Sequence, residues 1–144
     1  MIENVDLDLL EKTYQNASMG ITAIETVLDK VKDQQLSNDL HRQLKDYQEI
    51  AYKTRRQLRM SGAKAKDVSR YNKAVMTGNV KMNMLINSSD SHIAQMVIQG
   101  STMGVTQMTR LLHANKDADG SCTKIAEEFV KKEERNIEVM KNYL

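Results

Sequence analysis

A chain of 144 residues is long enough for one hydrophobic core and short for two, so one domain spanning 1–144 is expected. A lone Cys122 excludes an intrachain disulfide, and a net charge of +2 gives no general affinity for polyanions, so nucleic acid is not an expected partner. The absence of proline, with abundant Leu, Met, Ala, Lys, Gln and Glu, predicts an all-α fold.

The N-terminus is acidic, with Glu3, Asp6, Asp8 and Glu11 and no basic residue before Lys12, the reverse of a signal peptide. From there apolar or small residues recur at Leu10, Tyr14, Ala17, Ile21, Ile24, Leu28 and Val31, at alternating spacings of three and four. That period predicts a first helix from Asp6, as N-cap, to about Lys32. After a corner at Asp33 the seam resumes at Leu36, Leu40, Leu44, Tyr47, Ala51, Thr54 and Leu58, and Gly62 offers a C-terminal cap. Two helices of similar length on a short link form an antiparallel hairpin.

Asp67 can cap a third segment carrying Tyr71, Val75, Val80, Met82, Leu85 and Ile86. The run Asn87-Ser88-Ser89-Asp90-Ser91 then competes for helical hydrogen bonds and predicts a break near Ser89. An unbroken helix to Ala114 would be about 70 Å long at ~1.5 Å per residue, far longer than its neighbours. Between Lys81 and Arg110 only Asp90 and His92 could carry charge, which marks Met82 to Thr109 as the expected buried centre. Its second half, Asp90 to His113, is apolar over more than half of a helical wheel, with a thin neutral strip of Gln95, Gln99, Thr102 and Thr106. After Asn115–Gly120 a last helix carries Cys122, Ile125, Ala126, Phe129, Ile137, Met140 and Leu144 on one face. No stretch supplies the ~20 apolar residues of a membrane span, so no membrane insertion and a cytoplasmic location are expected.

Gly100 and Gly104 lie one helical turn apart and permit close backbone approach by another helix. With Val97, Met103 and Met108 they form a face that serves either tight intrachain packing or a subunit interface, since interface cores are poor in charge and rich in Met. Two acids fall on apolar faces. Glu133 is in line with Ala126, Phe129, Ile137 and Met140, with Asn136 beside it, and Glu25 lies next to Ile21, Ile24 and Leu28. A buried carboxylate must be paired, hydrogen-bonded, protonated or bound to metal.

Four long helices, an extra segment between two hairpins and acids on inner faces together resemble the ferritin-like four-helix bundles. That resemblance implies an up-down bundle of four long helices plus one extra segment. It also implies a metal site built from a Glu on each of two helices and a Glu-x-x-His on each of the other two. No Glu-x-x-His occurs in the chain; Glu133 and Asn136 have the spacing with Asn in place of His, and the second helix has no carboxylate on its seam. Carried over by position, Glu25 and Glu133 match, and His92 is a substitute ligand for iron or another transition metal. The competing expectation is no cofactor, with Glu25, Glu133 and Asn136 in a structural polar network with Tyr or His partners.

Three weaker signals complete the reading. Asn115, Asp117, Asp119 and Gly120 resemble the first half of a calcium loop, but Ala126 stands where the bidentate Glu belongs, so a plain helix connection is expected. A basic patch around Arg55, Arg56 and Arg59, with Lys53, Lys64, Lys66, Arg70 and Lys73, surrounds the corner that the N-terminal acids share and is expected to be partly neutralised. Cys122, His41 and His113 form no triad. The chain therefore reads as a homo-oligomeric interaction or structural protein rather than an enzyme, with a ferritin-like metal-binding or redox role as the alternative.

Overall fold

The computed structural model describes residues 4–63, 70–118 and 120–144. Helix α1 is Asn4–Val27, followed by a 3₁₀ turn at Leu28–Lys30; α2 is Gln34–Met60, α3 Arg70–Ile86, α4 Asp90–Ala114 and α5 Gly120–Lys141. No strand occurs among the described residues. Helices α1 and α2 form one antiparallel hairpin and α4 and α5 another. Residue pairs set the directions. Arg55 Nη2 donates to Tyr14 Oη at 2.7 Å near one end, and the Lys32–Asp33 corner meets Asp90 at the other. Between the hairpins α3 carries the chain back along the length of the bundle, packing on α1 and meeting α4 over a short stretch. One long crossover between two hairpins is the ferritin-like arrangement.

The ends of the helices follow from local chemistry. Asp33 caps α2, its Oδ1 accepting from the N–H groups of Gln35 at 2.7 Å and Leu36 at 3.2 Å. The predicted break at Ser89 is present: its backbone is extended and its hydroxyl accepts from the His92 N–H at 3.2 Å. Gly62 takes a positive φ of 81°, which lets Ala63 N–H reach back to Leu58 O at 2.9 Å and close the end of α2. Asp6 does not cap α1. The helix already runs from Asn4, and Asp6 is a buried first-turn residue, where a carboxylate suits the helix dipole. The other end of α1 also falls short of Lys32, because the chain tightens to 3₁₀ geometry at Leu28. The expected cap Asp67, together with Glu3, Lys64, Lys66 and Asp119, lies outside the described residues, as do the side chains of Arg70, Tyr71 and Val75.

The core joins all the helices. Leu9, Leu10, Ala17 and Ile24 of α1 meet Leu36, Leu40, Ile50 and Leu58 of α2, Met84 of α3, Ile93, Ala94 and Met108 of α4, and Phe129 and Met140 of α5. Each fully buried Leu or Ile contributes about 1.5–3 kcal/mol relative to an exposed one. The outer edges of α2 and α5 are laced by Lys53–Glu128 at 3.1 Å, Lys132–Asp46 at 3.7 Å and Arg135–Asp46 at 3.1 Å. At well under about 1 kcal/mol each, such surface pairs set register more than stability. Tyr143 adds a hydrogen bond from its hydroxyl to Asp39, which ties the end of the chain to α2.

The charge-poor stretch is not the buried centre throughout. Met82, Leu85 and Ile86 face solvent, the last two more than 80% exposed, and among the described side chains of α3 Met84 is the buried one. Lack of charge there marks a surface, because α3 is an outer helix with α1 on one side. Helix α4 does enter the core, through Ile93, Ala94, Ser101, Gly104 and Met108, while Gln95, Gln99, Thr102 and Met103 remain outside. No helix among the described residues is long and apolar enough to cross a membrane.

Candidate functional site: a buried carboxylate and an uncharged groove

Glu133 of α5 is 3% exposed and sits where three helices converge. Among the described residues its Oε1 receives every hydrogen bond made to the carboxylate: from the Tyr47 hydroxyl of α2, from Ser101 Oγ of α4 at 3.4 Å and from Asn136 Nδ2 of α5 at 3.4 Å. Oε2 lies against Gly104 of α4, where an added Cβ would be 3.0 Å away. Burial raises the Glu133 carboxyl from 4.5 to about 7, and the three donors hold it back from rising further. Burial, and then the adjacent carboxylate, push the Tyr47 hydroxyl well above its ordinary value, so it stays a donor. Helix α1 contributes space. A Cβ on Gly20 would stand 2.7 Å from the Tyr47 ring, whose centroid is 6.3 Å from that of Phe129.

One helical turn from Tyr47, on the same face of α2, Gln43 is 2% exposed, and neither its Nε2 nor its Oε1 makes a hydrogen bond. Buried Thr13 and Thr54, by contrast, return their hydroxyls to the carbonyls of Leu9 at 2.7 Å and Ile50 at 2.9 Å. The polar network expected around Glu133 and Asn136 is therefore present, with Tyr47 and Ser101 as partners, and Glu25 is not in it. Glu25 is exposed on α1. Its place beside Ile24 misled because the inner face of α1 turns through Ile24 and Val27, leaving Glu25 outside. The sequence signals for the missed partners are a Tyr on the α2 seam, whose hydroxyl needs an acceptor, and a Ser between two glycines.

The residues do not fit a transition metal. Glu25 points to solvent, and His92 is in the first turn of α4, nine residues or roughly 13 Å along the axis from Ser101 at ~1.5 Å per residue. His92 Nε2 is buried and makes no hydrogen bond, and no group of three or more His, Cys, Asp or Glu side chains among the described residues could hold a metal ion. In the α4–α5 link the Asn115 amide donates to Leu111 O at 2.7 Å, closing the end of α4, and Ala118 N–H reaches Asn115 O at 3.0 Å in a turn.

The face expected to act as one interface divides. Gly104 and Met108 are buried within the chain, Val97 is half-buried, and Gly100 and Met103 are exposed. The last two line a groove of about 670 Å³ between α3 and α4, floored by α1. Met19, Met76, Met96 and Met103 give it its apolar surface; the rest of the lining among the described residues is Asn, Gln, Val and Gly, with no charged residue. Of the basic patch, Arg55 lies 5.5 Å over the Tyr14 ring as well as bonding its hydroxyl, Lys53 is paired to Glu49 and Glu128, and Arg56 and Arg59 are exposed.

These features define the class: an all-α bundle of two hairpins and a crossover helix, with a polar knot inside and an uncharged groove outside. Among solved structures the chain is similar to that of a DUF305 fragment from Deinococcus radiodurans, with a TM-score of 0.76 over 98% of this chain and 95% of that one. The two sequences are 11% identical, so the likeness establishes the fold. No family model matches the sequence, and no curated protein does.

Proposed function

We propose that the chain is a homo-oligomeric interaction protein that associates through the face made by α1, α3 and α4. The observation that carries this reading is the uncharged, methionine-lined groove beside an exposed apolar ridge of Met82, Leu85 and Ile86. Ile86 follows Asn83, a lining residue, by three positions, so ridge and groove share an edge of α3. A charged partner surface would be stripped of water here without finding counter-charges, whereas a second copy presents the same neutral surface. A two-fold contact of this kind sets the ridge of each copy into the groove of the other. The α2–α5 face is by contrast crossed by paired charges that already satisfy one another. A cytoplasmic setting fits this reading, since the buried Cys122 calls for no oxidising compartment.

Sedimentation velocity tests the proposal. The wild type should sediment as a dimer or larger at micromolar concentration, and Leu85→Glu, at a site 87% exposed, should shift it to monomer with its helix content unchanged. A wild-type monomer at those concentrations refutes self-association, and an oligomer indifferent to Leu85→Glu and Met103→Glu refutes this face.

A further inference from the structure

We infer that Glu133 is a proton-binding site at the centre of the bundle, which takes up and releases one proton at Oε2 while Oε1 stays held by Tyr47, Ser101 and Asn136. The geometry separates the two oxygens. All three donors reach Oε1, so protonation there would break hydrogen bonds that already exist. Among the described residues Oε2 receives none, and it faces the backbone of Gly104. An O–H bond formed at Oε2, with its proton drawn from solvent, leaves the grip of the three helices in place and removes the buried charge. Release returns the proton to solvent and leaves an anion with neutral donors alone.

Among the described residues no cation reaches this carboxylate. From α2 it is faced by Tyr47, which remains protonated; from α4 by Ser101 and the Gly104 backbone; from α5 by Asn136; and α1 contributes Gly20, behind the Tyr47 ring. Lys132, the neighbouring residue on α5, is turned outward to Asp46, Glu49 and Glu128, and Arg135 to Asp46. The carboxyl therefore behaves as a buried acid with hydrogen bonds but no ion pair, the arrangement that makes a proton stabilising.

The consequence for the fold has a definite sign. Because folding raises this group above its ordinary 4.5, the protonated form is favoured in the bundle. The contribution of Glu133 to stability is greatest below 4.5, declines as pH rises to about 7, and is level above that. The helices α2, α4 and α5 are thus clamped more firmly under mildly acid conditions than in mild alkali.

The test is a carbon-13 titration of the Glu133 carboxyl in the folded chain, its signal identified by its loss in Glu133→Gln. The expected midpoint is near 7, and Tyr47→Phe, which removes a donor to the ionised form, should move it higher. A midpoint close to 4.5, or one unchanged by Tyr47→Phe, overturns the inference. Urea unfolding gives the second readout. Between about pH 5 and about pH 8 the folding equilibrium constant of the wild type should fall about 70-fold more than that of Glu133→Gln, and equal falls would overturn the inference. Should Glu133→Gln fail to fold, through-bond correlation to the Glu133 backbone identifies the signal instead, and the carboxyl titrations of the wild type and Tyr47→Phe still decide the matter.

Discussion

Replacing Gly20 by alanine should destabilise the bundle, although alanine is the better helix former by about 1 kcal/mol. The added methyl would lie 2.7 Å from Cε2 and Cζ of Tyr47 and 2.8 Å from its Cδ2, about 1 Å inside ordinary carbon contact at ~3.5–4.0 Å. Tyr47 has nowhere to retreat: it is 5% exposed, its hydroxyl is bonded to Glu133 and its ring packs beside Phe129. Overpacking costs about 1–3 kcal/mol, and a displaced hydrogen bond to the ionised carboxylate about 1.5–3 kcal/mol more. Set against the gain in helix propensity, the expected net loss is about 1.5–5 kcal/mol. Urea denaturation followed by helix circular dichroism measures it, with Gly78→Ala as the control, since nothing lies within 4 Å of a Cβ at that exposed helical position. The control should gain stability by up to about 1 kcal/mol. If Gly20→Ala gains as much as Gly78→Ala, the close approach of α1 to Tyr47 is not what keeps glycine there.

Two further substitutions test features that carry no conspicuous sequence motif. Gln43→Met keeps the side-chain volume and removes an amide that has no hydrogen bond in the core, so it should be neutral or stabilise by about 1–3 kcal/mol in urea denaturation; a loss of that size would contradict the unpartnered state. Asp90 receives the backbone N–H groups of Lys32 and Asp33, each at 2.9 Å, and thereby ties the start of α4 to the α1–α2 corner. Asp90→Ala should cost about 1–3 kcal/mol and hasten amide exchange at Lys32 and Asp33, and unchanged exchange there would refute the tie.

The fold was legible where spacing alone decides it. The seams of α1, α2 and α5, the stop at Gly62, the corner at Asp33 and the break at Ser89 all follow from residues within a few positions of one another, and each is present. Burial of Glu133 and Asn136 was legible for the same reason, since both stand on a line of apolar residues. Their partners were not, because Tyr47 and Ser101 are 86 and 32 residues from Glu133 in the chain. Glu25 failed because a residue at the edge of an apolar stripe is turned in or out by the helix's rotation, which the neighbouring helices set.

The sequence by itself determined the helices, since three- and four-residue spacing, caps and the lack of proline act within single segments. Tertiary structure decided which neutral surface became core and which stayed outside. Absence of charge permits either outcome, and the seating of α3 against α1 leaves Met82, Leu85 and Ile86 in solvent while α4 carries Met108 inward. It likewise separated the two glycines of α4, placing Gly104 on Glu133 and Gly100 in the open, because residues four apart on a helix are turned about 40° from one another.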